Sequence, residues 1–458
     1  MTVASGRPRP ARRGLTDFSL AVERSDIDGL AEIPGSEGWL AADRQAAFDA
    51  FEALPAESNF LYTTYIDLRA VELEGARLTS APHTAPVATD LPAGTDGLLV
   101  IEEGDLTGTV LSPEATAAGV EFTTIADLAR RDPARVQALL DGGSILPTDD
   151  RFAQLTRALW TQGVVLDIPA GVRLERPIII RWKAGAPDRA LISRTLIALG
   201  DGAAATVLEE LVASGPPALD GGQSFLAGTL EVRLGRDARL EFASLQELPS
   251  TTIVFQHRNA IIGEGATLHW ALAQLGSRLV RSRVDNRLEG DRSSVEQVEI
   301  VFGGADQLFD LTSYTHHIGR DTTGNLLSKG ALLDRARSFM KGMIVIDRSA
   351  VGTDSFLGEF GMNLSKATRS VAIPSLEIDQ PDCRRAAHAS SVGPIDETQL
   401  FYLESRGIPP DEARKFIVLG FLEPVVARVP LADAQERLRD LLEAKWDAGF
   451  VAGAVAAA

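Results

Sequence analysis

The densest cluster of reactive side chains is the run Leu376-Glu377-Ile378-Asp379-Gln380-Pro381-Asp382-Cys383-Arg384-Arg385-Ala386-Ala387-His388. It brings carboxylate, thiolate and imidazole donors within a few residues of one another, a set that can take iron or zinc. Spacing limits what the set can do. In an extended segment the odd separation of Cys383 and His388 sends them to opposite faces, so a shared ion requires a turn between them. On spacing alone, a structural histidine at a domain junction is the better reading of His388. Among the other histidines, His257 and His269 fall in strand-like stretches and read as partly buried structural side chains. His316 and His317 are adjacent, so on a strand they face opposite ways and cannot enter one metal site without a bulge. Glu296 with Glu299, and Asp306 with Asp310, are carboxylate pairs of the kind a glycan-cleaving solenoid displays. A nucleophilic triad has little support, since the sequence has no Gly-x-Ser-x-Gly elbow and no catalytic signature surrounds Cys383. The Gly-x-Gly phrases lack the Lys-Ser/Thr of a phosphate loop and the long helix of a dinucleotide site, and they read as turn corners.

Composition narrows the chemistry further. The 458 residues carry 45 Lys+Arg against 63 Asp+Glu, a net charge of -18, which disfavours a nucleic acid partner held through its phosphates. The longest apolar runs, Pro177–Trp182 and Phe416–Leu422, fall well short of the roughly 20 residues a membrane-spanning helix requires. A single cysteine, Cys383, excludes an internal disulfide framework and a self-sufficient all-cysteine metal site. Met1–Arg13 holds four arginines and no apolar stretch follows it, so it reads as a basic tail on a cytoplasmic protein rather than a secretory signal.

Three patterns divide the chain that must position these groups. Up to about residue 161, helical spacing dominates: Trp39–Leu54, Ile125–Leu140 with a break or fresh start at Asp132-Pro133, and Asp150–Trp160, around a loop at Thr79–Pro92. From Gly163 to about Ile378 come short apolar, β-branched segments, among them Val164–Ile168, Ser224–Val232, Ile253–Ile262 and Ser294–Phe302. Phrases such as Pro169-Ala170-Gly171, Gly200-Asp201-Gly202, Gly235-Arg236-Asp237 and Gly263-Glu264-Gly265 separate them. Strand, Gly-x-Gly or Gly-x-Asp, then strand again suits coils that turn a corner and stack, which favours a β-solenoid over a sandwich. After Pro374 helices return. Asp396 caps one that closes at Arg406-Gly407, Pro409-Pro410 opens a second with Ala413, Phe416, Ile417, Gly420 and Phe421 on one face, and Ala434, Leu438, Leu441 and Leu442 stripe a third.

One stretch of this last region is distinctive. His388-Ala389-Ser390-Ser391-Val392-Gly393, Ile395-Asp396, Leu400-Phe401-Tyr402-Leu403 and Ser405-Arg406-Gly407-Ile408 together resemble the signature of the SufB/SufD family of iron–sulfur cluster assembly proteins. Lys329-Gly330, Arg335-Ala336, Gly342, Leu376-Glu377-Ile378 and Gly420-Phe421 resemble it as well. The likeness covers roughly residues 160–430, and the N-terminal part, with Leu54-Pro55 and Tyr65-Ile66-Asp67-Leu68, looks more like SufD than SufB. The resemblance implies a mainly β protein, with a right-handed parallel β-helix at 162–385, a mainly helical domain at 1–161 and a C-terminal helical domain at 386–458 that docks an ATPase. It implies a scaffold rather than an enzyme, pairing with a SufB-like subunit and binding a SufC-like ATPase, with a homodimer open to the isolated chain. A transient iron–sulfur cluster, or iron alone, would pass through the interface with the SufB-like subunit, and His388 matches the histidine that faces that site. Two positions depart from the pattern: Ala386 stands where a cysteine is usual and Ala389 where a glycine is usual. Whether Cys383 takes the place of the missing cysteine stays open, as do two rivals, a β-helical carbohydrate-active enzyme and a purely structural partner.

Overall fold

A computed structural model describes residues 14–30, 38–79, 87–141, 147–216, 221–429 and 432–456. The basic stretch Met1–Arg13 and part of the Thr79–Pro92 loop lie outside the described residues. From Gln162 to Gly393 the chain winds as a parallel β-solenoid of about eight turns. Each turn gives one strand to a ten-stranded sheet and the next to an eleven-stranded sheet. Strands of one sheet stack in parallel register, as Phe225 on Ile253 and Ile253 on Leu279. Because side chains alternate along each strand, one row points to the axis between the sheets, where Leu226, Val254, Val280, Phe242 and Trp270 share an apolar core.

The predicted corners are what let the coils stack. Gly202, Asp237, Gly265, Arg292, Asp321 and Gly352 occupy one corner column, all with positive φ. Each donates its N–H to the following coil: Gly202 to the Arg236 carbonyl, Asp237 to Glu264, Gly265 to Asp291. The glycine that opens the phrase is needed for a different reason. A Cβ on Gly235 would stand 2.6 Å from Asp201 Oδ1, and one on Gly263 2.6 Å from the Leu234 carbonyl oxygen, so the spacing between coils leaves no room for a side chain. Strands Leu279–Leu288, Thr323–Leu332, Asp354–Asn363, Arg369–Ile378 and Arg385–Gly393 complete the solenoid beyond those singled out from sequence.

The N-terminal helices Trp39–Ala53, Ile125–Arg131, Pro133–Asp141 and Arg151–Leu159 realise the predicted break at Asp132-Pro133. They cover the outer face of the ten-stranded sheet, where Phe152 meets Phe255 at 4.6 Å between ring centroids. The region also supplies strands. Gly97–Glu102 and Asp105–Leu111 form an antiparallel pair, and Glu121–Thr124 runs antiparallel to Gln162–Ile168, so the first coil has a neighbour on its outer edge. A buried ionic clasp fixes this cover to the solenoid. Asp150, capping its helix, lies 3.1 Å from His257 Nε2 and 3.2 Å from Arg283, while Glu57 and Asp310 bind Arg281. Burial works against the Asp150 charge, yet His257, Arg283 and Arg281 hold the carboxyl well below the ordinary range.

Helices Glu397–Ser405, Pro410–Val426 and Ala432–Ala456 follow the last coil. The latter two lie along the outside of the eleven-stranded sheet, with Val418, Leu422, Val426, Leu438, Leu442 and Trp446 packed on Ala271, Val298, Ile300 and Phe302. The buried stripe of Pro410–Val426 is therefore Ala413, Val418, Leu422 and Val426, not the face centred on Phe416 and Gly420. Phe416 is 62% exposed on the side away from the solenoid. Among the described residues no helix is long and apolar enough to cross a membrane.

Candidate functional site at the open end of the solenoid

His388 sits on the last strand, Arg385–Gly393, which among the described residues pairs on one side only, with Asp354–Asn363. Register sets His388 beside Leu357 and Ser390 beside Glu359. Two neighbours fix which way His388 points. Ala386 packs against the Ile344–Leu357 cluster of the core, and Val392 approaches the axis side of Gly361 and Ser370. Residues of the same parity face the axis, so His388 does too. It is exposed, and among the described residues no further coil stacks on it.

The rest of the dense cluster separates. Cys383 is a free, part-exposed thiol in the corner before the strand. That corner continues the stacked column, since Gly352 N–H donates to the Asp382 carbonyl oxygen. Arg384 pairs with Asp321 and Arg385 with Asp354, which pins the corner to the preceding coils. Among the described residues no three His, Cys, Asp or Glu side chains are grouped closely enough to hold a metal ion. His388 thus offers a single imidazole toward the open axis, and any ion there needs further donors.

The remaining candidates resolve into structural roles. His317 points into the core, bonded to Thr322 and Ser355, and burial pushes it down to about 3, so it stays neutral. Its neighbour His316 faces outward, 3.0 Å from Asp347, as adjacency on a strand requires. His257 is buried in the ionic clasp, and His269 bonds Glu241 at 2.8 Å. The carboxylate pairs dissolve. Glu296 is exposed while Glu299 is buried on the opposite face; Asp306 pairs with Arg335 in a corner, and Asp310 lies buried against Arg281 and Lys341. Neither pair flanks a cleft where a glycosidic bond could sit. Sequence reasoning missed Glu359, an isolated acid between glycine and aromatic residues, whose buried position on the axis no local spacing reveals.

The last coil is open in a second sense. Arg369–Ile378 and Arg385–Gly393 are the terminal strands of their sheets and leave their outer edges unpaired among the described residues. Ile378 and Val392 are 44% and 39% exposed on them. Behind this end, Lys329 Nζ donates to the Phe421 carbonyl at 2.8 Å and stands 4.6 Å from its ring, tying the helices to the eleven-stranded sheet.

Comparison with known proteins agrees with this architecture. The family model for the SufBD core domain of the SUF system for FeS cluster assembly matches residues 182–421. Over 444 residues the chain is 27% identical to the iron–sulfur cluster assembly protein SufD of Bacillus subtilis, covering 93% of this chain and 98% of that protein. It is 26% identical over 297 residues to an iron–sulfur cluster assembly SufBD family protein of Staphylococcus epidermidis, covering 65% and 63% of the two chains. The family match spans most of the solenoid, the last coil with His388, the helix after it and most of the next, so this chain belongs to the SufB/SufD family of iron–sulfur cluster assembly proteins, on its SufD side.

Proposed function

We propose that the chain is the SufD-like scaffold subunit of an iron–sulfur cluster assembly complex, closed at its open end by a SufB-like subunit and carrying a SufC-like ATPase on its C-terminal helices. The observation that carries this reading is the uncovered last coil. Among the described residues two strand edges and a row of axis-facing side chains are left without a neighbour, an arrangement that solenoids cap or pair to avoid aggregation. A second solenoid abutting this end would close both edges and bring its own donors to His388. The nascent cluster, or iron, is then the cargo held between the two subunits, with one imidazole from this chain and the remaining ligands from the partner. Loss of the usual cysteine at Ala386 fits a subunit that completes a site and does not supply most of it.

The helices after residue 386 form the proposed ATPase-docking module. Phe401 and Phe416 are 70% and 62% exposed, with Tyr402 beside them. The solenoid already has its own apolar contacts from the opposite face of Pro410–Val426, so these aromatics are free to serve as anchors. Co-expression of the chain with SufB-like and SufC-like subunits, followed by size-exclusion chromatography and iron and sulfide analysis, tests the whole reading. A complex that forms and holds iron and sulfide in the wild type but loses them in His388→Ala supports it. A complex that assembles with unchanged iron and sulfide in His388→Ala leaves a purely structural partner.

A further inference from the structure

The N-terminal region reaches the open end through one turn. Glu57 is buried against Arg281 and Lys341, and Asp67 pairs with Arg337 at 2.7 Å. Between them the chain crosses the outer face of the last three strands of the ten-stranded sheet. Tyr62 lies 6.3 Å from the Tyr314 ring and 5.5 Å from Lys341 Nζ, and its hydroxyl approaches Ser375 on the terminal strand Arg369–Ile378. Hydrogen bonds fix the turn just before it. The Asn59 side chain accepts the Leu61 N–H at 3.0 Å and donates to the Tyr314 hydroxyl at 2.9 Å, while the Asn59 carbonyl accepts the Tyr62 and Thr63 N–H groups. Thr63 adds a bond from its hydroxyl to the Phe60 carbonyl. An asparagine that bonds the backbone two residues on, and is itself tied to the sheet, holds such a turn in one conformation.

What the turn holds out is apolar. Phe60 is 80% exposed, the most exposed large apolar side chain among the described residues, and Leu61 beside it is 38% exposed. A scattered apolar side chain on a surface is ordinary. These two are adjacent, held rigidly, and next to a strand edge that is unpaired among the described residues. A strand added to Arg369–Ile378 would lie about 4.8 Å beyond it, and Phe60 is two residues, at most about 7 Å of chain, from Tyr62. A body that closes the edge therefore comes within reach of the turn. The place of the turn in the sequence matters as well. The match to the SufBD core begins at residue 182, so the turn lies outside what the family model describes. Two solenoids built on this core present similar open ends, and edge pairing alone does not distinguish a second copy from a SufB-like subunit. A contact outside the shared core can.

We propose, resting on the scaffold reading above, that Phe60 with Leu61 is a side anchor for the SufB-like subunit at the open end, filling an apolar recess on that subunit beside the paired strand edges. The edges supply main-chain pairing, which strands of many sequences can offer, and the anchor supplies the choice of partner. Because the turn is fixed before binding, little conformational freedom is lost when the ring is buried.

The test titrates the SufB-like subunit calorimetrically against the full chain and against its Phe60→Ala and Phe60→Leu variants. Phe60→Ala should weaken binding about 30-fold or more, as truncation of a buried aromatic anchor does, and Phe60→Leu should recover part of the affinity. The unfolding midpoint of Phe60→Ala should match that of the wild type, and a SufC-like ATPase should be retained equally by both. Wild-type affinity in Phe60→Ala would remove the turn from the interface and leave the scaffold reading standing. Loss of the ATPase, or the splitting of a homodimer of the chain alone, with affinity for the SufB-like subunit unchanged, would assign the turn to that other partner and overturn the proposal. No binding of the SufB-like subunit by the wild-type chain would overturn the scaffold reading and this proposal with it.

Discussion

Replacing Glu359 with glutamine should make the protein more stable, and increasingly so as the pH rises. The carboxyl titrates at about 8 in the folded chain against 4.5 when free in water, chiefly because burial penalises its charge. Between those values the folded state keeps a proton that the unfolded state has released. The group's contribution is therefore fully present below pH 4.5, is lost progressively as the pH climbs, and is gone above about pH 8. At about 1.4 kcal/mol per pH unit, the penalty that glutamine removes is about 2 kcal/mol at pH 6 and about 4 to 5 kcal/mol at pH 8. Exposure of 1% leaves little solvent to screen it. Urea unfolding of both variants at pH 4.5, 6 and 8, followed by tryptophan fluorescence, isolates the effect, because every other titrating group cancels in the difference. A stability gap that widens with pH by several kcal/mol is the expected result. Curves separated by a constant amount at all three pH values would mean that Glu359 is ionised and hydrated, and the dry-acid argument would fail.

Other perturbations have expected outcomes of their own. His388→Ala should leave subunit assembly and the unfolding midpoint nearly unchanged while lowering iron and sulfide in the purified complex, because the side chain is exposed. Phe416→Glu should abolish retention of the SufC-like ATPase in a pull-down with little effect on stability, since Phe416 is 62% exposed and surface changes usually cost under about 0.5 kcal/mol. Asp150→Ala should destabilise the chain by about 3 to 5 kcal/mol in denaturant, because it removes the cap of Arg151–Leu159, the carboxylate partner of the buried His257 and one of the partners of Arg281 and Arg283 in the clasp. Gly263→Ala should lower the midpoint more than Gly420→Ala does. A Cβ at 263 meets the Leu234 carbonyl at 2.6 Å, whereas at 420 it meets nothing within 4 Å.

How far these features were legible in the sequence follows from how local their causes are. The corner phrases could be read because a positive φ and a close backbone approach are met within three residues, as in Gly235-Arg236-Asp237. Strand–corner–strand succession then implied stacked coils. The later strands were harder to see, because their axis rows carry Ser282, Asn286, Ser328 and Glu359 in place of an unbroken apolar alternation, and Arg369–Ile378 contains Pro374. On Pro410–Val426, large aromatics drew the predicted face toward Phe416, whereas the sheet accepts the smaller Ala413, Val418 and Leu422. At the site, parity required a turn before Cys383 and His388 could share an ion, and Cys383 does lie in the corner before the strand that carries His388, with no metal-holding group of three donors among the described residues. The burial of Glu359 against Gly342 depends on how the coils stack and face each other, a long-range property that no spacing within its own segment encodes.

The central claim is that this chain meets a SufB-like subunit across its open last coil, and strand-edge protection measures that most directly. Amide hydrogen exchange should be compared for the chain alone and in the co-purified complex, over Arg369–Ile378 and Arg385–Gly393. The account predicts that these two strands exchange fast in the isolated chain and slow markedly in the complex, while the outer strands Gly97–Glu102 and Asp105–Leu111 change little. A stable complex in which both terminal strands exchange as fast as in the free chain would contradict it.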